Sequence, residues 1–309
     1  MMAGETLPEC EVCNDKLLNT DVYRTYFWHL FQHKYDDVIG KTDLNGRTSM
    51  LPVSWDYRFS NLCNFKCRTC GDMLSSAWET EQRQHQMIDW SNTKNAWMQP
   101  DIRREITQFQ DTQIEEEFSR AVEEHRVEEI YWVGGDWQIC ASLDGTGPVG
   151  EYIRTGLSYP IFLNNFRQGL EIATNTRQMR LDFTLTLPGM FEVDNMNALA
   201  NELGVQLLAK VIFSFSPDII MSPLALPRHL LDPWIDELAG RSAGAMRDVL
   251  LQLKTRPTFE EQWPDTYRAG LAKGRARVLQ LESIRTQKIT MAEILSARPE
   301  IKEWWDQIA

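Results

Sequence analysis

Leu181-Asp182-Phe183-Thr184-Leu185-Thr186-Leu187 alternates apolar and polar side chains without a break, the period of a strand with one buried face. Before it, apolar spacing from Ile161 to Ile172 predicts a helix; after it, 194–203 predicts a second helix and 207–215 another strand. Earlier still, Ile130 to Val133 predicts a buried strand ending in Gly134-Gly135-Asp136. Trp137, Ile139, Ala141 and Leu143 predict the next, which stops at Asp144-Gly145. Pro52 opens a further alternating stretch, with Val53, Trp55, Tyr57 and Phe59 on one face. Strands that alternate with helices predict an α/β fold with a largely parallel sheet, whose chemistry lies at the carboxyl ends of the strands.

Elsewhere the pattern is helical or irregular. A short aromatic-faced helix is expected from Asp21 through Tyr23, Phe27, Leu30 and Phe31, followed by a polar linker over 36–50. A helix is expected to begin near Ser75-Ser76, residues 91–112 show no clear period, and Ile114, Phe118, Ala121 and Val122 mark another amphipathic helix. Beyond Pro227 the chain reads as helical to its end, punctuated by Pro233, Pro257, Pro264 and Pro299. Three regions follow: an N-terminal segment (1–50), a central α/β region (51–225) and a helical C-terminal region (226–309).

With 309 residues, 43% hydrophobic, the chain is long enough for a large core. Its 32 Lys and Arg against 44 Asp and Glu give a formal charge of −12, which argues against non-specific nucleic-acid binding and attraction to anionic membranes. No apolar run approaches the ~20 residues of a spanning helix. Met1 to Glu5 has neither the basic nor the apolar stretch of a signal peptide, so a cytoplasmic location is expected.

Five of the six cysteines lie in two tight clusters, Cys10 with Cys13 and Cys63 with Cys67 and Cys70; Cys140 stands apart. Without an export signal, clustered thiols read as metal ligands or redox groups. Ser60-Asn61-Leu62-Cys63-Asn64-Phe65-Lys66-Cys67-Arg68-Thr69-Cys70 spaces three thiols so that one loop can fold them around one centre. A structural zinc site wants four protein ligands, whereas three thiolates suffice for three irons of a [4Fe–4S] cube and leave the fourth iron open. Lys66 and Arg68 add positive charge that favours thiolates.

Cys63-x3-Cys67-x2-Cys70, placed after the first strand and followed by Ser75-Ser76 and Trp78, resembles the signature of the radical S-adenosylmethionine (SAM) superfamily, in its SPASM/twitch-domain branch. Thr69 departs from the aromatic residue that many members carry there. The resemblance implies a partial (β/α) barrel with a [4Fe–4S] cluster on Cys63, Cys67 and Cys70, SAM on the open iron, and an external electron donor. It further implies reductive cleavage of SAM to a 5′-deoxyadenosyl radical, which abstracts hydrogen from a substrate; in this branch that is often a peptide or protein. Gly134-Gly135-Asp136 resembles the family's Gly-Gly-Glu segment, which contacts the SAM amino group, with Asp136 one methylene short. Ser142-Leu143-Asp144-Gly145 and Glu151-Tyr152-Ile153-Arg154 resemble a later stretch, in which Arg154 is either a partner for the SAM carboxylate or a surface arginine. Asp144 either faces the active site from its strand end or caps a turn.

Two features depart from the family. Only Trp137 to Ala141 separate Asp136 from Ser142, where the family has further barrel units, so the scaffold reads as shortened. Cys10 and Cys13 look like the end of a cysteine-rich element whose upstream cysteines are not in this chain; two-thiolate zinc binding or a redox dithiol stays open for them. The alternative to an enzyme is therefore a non-catalytic iron–sulfur or zinc-binding scaffold or partner protein derived from one.

Overall fold

The strand over 181–187 forms as its alternation requires. In a computed structural model, which describes residues 31–55, 63–71, 75–87, 101, 104–105, 108, 112–113, 115–127, 129–130, 139–173, 178–212 and 214–308, it runs from Met179 to Leu185 (β6). Met179, Leu181, Phe183 and Leu185 are buried, and Arg180, Asp182 and Thr184 on the other face are half-buried. Each large apolar side chain so buried contributes about 1.5–3 kcal/mol. β4 (Ile139–Ser142) pairs parallel to one side of β6, with Ala141 opposite Leu181, and β7 (Gln206–Val211) parallel to the other, with Leu185 opposite Val211. β7 is shorter than the sequence implies because its ladder ends where β6 ends; only the Ile212 N–H reaches on to the Leu185 carbonyl, at 3.2 Å.

The chain packs as two units, one made of residues 1–57 and 111–132, the other of 58–110 and 133–309. In the first, α1 (Tyr35–Gly40) occupies part of the expected linker, with Asp36 and Asp37 in its first turn, where carboxylates suit the helix dipole. A tight turn follows, in which Asp43 Oδ1 accepts the N–H groups of Asn45 and Arg47 at 2.9 Å each. β1 (Ser54–Trp55) pairs parallel with β3 (Glu129–Ile130), and α3 (Glu115–Glu123) falls where its period places it.

The second unit holds the three-stranded sheet and a two-residue antiparallel ladder between β2 (Lys66–Cys67) and β5 (Arg154–Thr155). α2 (Ser76–Gln84) follows the cysteines, α4 (Gly147–Ile153) precedes β5, and α5 (Tyr159–Ile172) leads to β6. α6 (Val193–Leu203) ends on Gly204 at φ 66°, a left-handed cap that costs glycine nothing and lets Val205 N–H reach the Ala200 carbonyl at 3.0 Å. Beyond Pro227 come α7 (Arg228–Arg241), α8 (Gly244–Thr255), α9 (Phe259–Gln262), α10 (Tyr267–Ile284), α11 (Met291–Leu295) and α12 (Pro299–Gln307). Pro257, Pro264 and Pro299 mark helix boundaries as expected, but Pro233 lies inside α7. The helix continues because Leu231, Trp234, Ile235, Leu238 and Ala239 bury one face, which outweighs the hydrogen bond a proline removes.

The α/β class with a parallel sheet therefore holds. Among the described residues the strands form separate sheets of two, two and three and do not close into a barrel. No helix among them is long and apolar enough to cross a membrane. The expected aromatic helix from Asp21, Cys10 with Cys13, the strand residues 56–60, and Gly134-Gly135-Asp136 lie outside the described residues.

Candidate functional site: the cysteine loop

The first turn of α2 holds the cysteine loop by its carbonyls. Ser75 caps the helix by accepting the Trp78 N–H at 3.2 Å and donates its hydroxyl to the Phe65 carbonyl at 2.5 Å. Ser76 donates to the Cys63 carbonyl and accepts the Cys63 N–H, both at 3.2 Å, and Ala77 N–H also meets that carbonyl. Trp78 Nε1–H donates to the Cys67 carbonyl at 2.7 Å. Carbonyls 63, 65 and 67 are thus all taken by one helix end. This explains why the serines and the tryptophan follow the cysteines so closely.

β5 holds the loop's other side. Cys67 pairs with Arg154 in the ladder, and Arg68 N–H continues it to the Ile153 carbonyl at 2.8 Å. Gly156, at φ 103°, is needed here: a Cβ would stand 3.1 Å from the Asn64 carbonyl oxygen and 3.3 Å from the Phe65 ring.

Arg154 joins the loop to the carboxyl end of β4. Its Nε lies 2.9 Å from Asp144 Oδ2, and its Nη1 lies 3.8 Å from Cys67 Sγ. Asp144, two residues beyond β4, is wholly buried, and its Oδ1 accepts the Thr184 N–H from β6 at 3.0 Å. The Arg154–Asp144 contact is ionic in character, since neither Nε nor Oδ2 makes a directed hydrogen bond. Burial opposes the charge of Arg154, but Asp144 and then Cys67 outweigh it and hold the guanidinium above its usual pKa. Glu192 secures the turn after Asp144, accepting Thr146 N–H at 2.8 Å and its hydroxyl at 2.6 Å.

The thiols differ in setting. Cys67 is buried, Cys63 half-buried and Cys70 exposed. The neighbouring Cys70 and then burial push the Cys67 thiol up, while Cys67, aided by Arg154 and Thr69, draws Cys70 down against its burial. Among the described residues no set of three or more His, Cys, Asp or Glu side chains stands close enough to hold a metal ion, so the three thiols are not gathered around one centre here. Cys140 is exposed on β4.

The structure thus brings Cys67, Cys70, Asp144 and Arg154 together, with Arg154 inside the protein rather than on its surface. It reassigns Lys66 and Arg68. Lys66 Nζ is bound to Glu81 at 2.8 Å. Arg68 donates to the Tyr152 carbonyl at 2.9 Å and to Gln287 at 2.6 Å, and lies 3.8 Å over the Tyr152 ring. The cation beside the thiols is Arg154.

No family model, no curated protein and no solved structure matches this chain.

Sequence reasoning missed Glu81, Glu282 and Arg285. Glu81 carried a signal, since it stands three residues from Trp78 on the same helix face. Arg285 carried none. It is remote in sequence from the loop and lies in a region with no motif.

Proposed function

We propose that this chain is a cytoplasmic radical SAM iron–sulfur enzyme on a shortened, partial (β/α) scaffold, acting on a peptide or protein substrate. The observation that carries the reading is the three-cysteine segment with its middle thiol set against a buried guanidinium at the carboxyl end of β4. The donor chemistry suits an anionic cluster, because three thiols stand on one short loop and Arg154, 3.8 Å from Cys67 Sγ, offsets thiolate charge. Cys63, whose backbone is held by the first turn of α2, would hold the cluster together with Cys67 and Cys70. If bound, the cluster and SAM would supply one-electron cleavage of the sulfonium and hydrogen-atom abstraction. The chain's own tasks are to fix Cys67 between Trp78 and β5, to hold Arg154 charged, and to keep water from the Asp144 end of β4.

One observation favours the alternative of a non-catalytic iron–sulfur or zinc scaffold. Arg154 Nε is already engaged by Asp144, so its fork is not open for bidentate binding of the SAM carboxylate through that edge. Anaerobic reconstitution and EPR of the dithionite-reduced protein decide between them. A [4Fe–4S]⁺ signal that changes when SAM is added is the expected result; a signal indifferent to SAM favours the scaffold, and a colourless protein holding zinc overturns both iron readings.

A further inference from the structure

Both neighbours of Cys67 are tied to one distant segment. Arg285, whose side chain has no exposed surface, follows α10 immediately and reaches three parts of the site. It grips Glu81 with Nη2 at 2.6 Å and Nε at 3.1 Å, and donates from Nη1 to the Lys66 carbonyl at 3.0 Å and to Thr155 Oγ1 at 3.4 Å. Its guanidinium lies 4.3 Å over the ring of Trp78, the residue that holds the Cys67 carbonyl. Two residues on, Gln287 accepts from Arg68. Three residues back, Glu282 accepts the Tyr152 hydroxyl at 2.6 Å and the Met291 N–H at 2.7 Å, which fixes the segment to α11.

We propose that residues 282–287 form a strap that sets the conformation and protection of the cysteine loop, with Arg285 as its positioning residue. The contacts themselves argue for this. Those of Arg285 and Gln287 fall on Lys66, Arg68 and Thr155 of the ladder or on the helix residues that hold it, leaving Cys67 enclosed between two anchored neighbours. The charge pattern agrees: Glu81, nearly buried, is shared by Lys66 and Arg285, and removal of Arg285 leaves it with the more exposed cation alone. A guanidinium suits the task, because its planar fork meets a carboxylate and a carbonyl at once while stacking on an indole. The strap rests on the geometry of the loop and not on the chemistry proposed for it.

The test labels the cysteines of the full-length apo-protein with N-ethylmaleimide and follows each by peptide mass spectrometry, using exposed Cys140 as internal reference. In the wild type Cys67 lags Cys140. In Arg285→Met, loss of the buried partner raises the Cys67 rate about tenfold relative to Cys140. Arg285→Lys, which keeps the charge and loses the fork, restores part of the protection. Leu250→Ala, in the buried face of α8 away from the strap's contacts, serves as the control once the temperature is set so that both variants lie equally far below their melting points. Equal acceleration in Arg285→Met and Leu250→Ala, or none in Arg285→Met, overturns the strap. Iron uptake on reconstitution is read in parallel and is expected to fall in Arg285→Met more than in Leu250→Ala. A wild type that takes up no iron counts against the proposed function alone, and the labelling still decides the strap.

Discussion

Asp144→Asn isolates the ion pair at the end of β4. The amide keeps an oxygen for the Thr184 N–H but removes the charge that faces Arg154 Nε at 2.9 Å. Asp144 is fully buried and the Arg154 side chain is 15% exposed, so the substitution leaves a cation largely cut off from water. Removing one partner of a buried pair costs about 3–5 kcal/mol. The small exposure of Arg154 and its remaining contact with Cys67 Sγ place the expected loss at the lower end, about 3 kcal/mol, or about 5 °C in melting temperature at this size. Urea unfolding monitored by circular dichroism measures the loss, with an unchanged slope showing that the same surface unfolds. The double variant Asp144→Asn/Arg154→Met removes the stranded charge and should recover most of the stability. A loss under about 1 kcal/mol in the single variant, or no recovery in the double, refutes the assignment of Asp144 as the residue that holds Arg154 in place.

Gly150→Ala should be severe, because its Cβ would stand 2.1 Å from the Gly145 carbonyl oxygen, backbone that also positions Asp144; a loss of at least ~2 kcal/mol is expected, and a neutral result would mean that α4 does not approach that turn. Cys67→Ala should abolish cluster retention on reconstitution, since two thiolates cannot hold the cube; wild-type iron content would sink the cluster assignment. Glu261 is held down to about 2, first by Arg228, with burial opposing and the Thr258 cap assisting. A depressed carboxylate stabilises the fold above its ordinary value of 4.5 and loses that contribution as pH falls toward 2, so the deficit of Glu261→Gln should be full at pH 7 and shrink below pH 4.5. A deficit independent of pH over that range would show that the charge of Glu261 contributes nothing.

β6 was legible because its period and its burial are the same fact: alternate residues face the core along its whole length. The helices of the C-terminal region were legible for the same reason, except where Pro233 suggested a break that packing overrides. The span 36–50 was harder to read, because a two-turn helix with two acidic residues has too few positions to show a period. Within the site, the cysteines and the two serines were readable because they are neighbours in sequence. The roles of Lys66 and Arg68 were not, since sequence shows that a cation is near a thiol but not which way it turns. Glu81 and Arg285 lie 204 residues apart, and no local pattern can announce a contact made across that distance. Gly134-Gly135-Asp136 belongs to the undescribed part of the chain, so its place beside SAM stays within the proposal.

The strap also gives the molecule a timetable. Cys70 leaves the ribosome long before Arg285 and Gln287 are made. At about 5–20 residues per second, the 217 residues between positions 70 and 287 take roughly 10–45 s to synthesise. For the later part of that interval Glu81 and β5 are already made and can hold Lys66 and Arg68, but the contacts from Arg285 to Glu81 and the Lys66 carbonyl and from Gln287 to Arg68 are still missing. Any ligand delivered during translation would meet an open loop, and any delivered afterwards would have to enter a closed one.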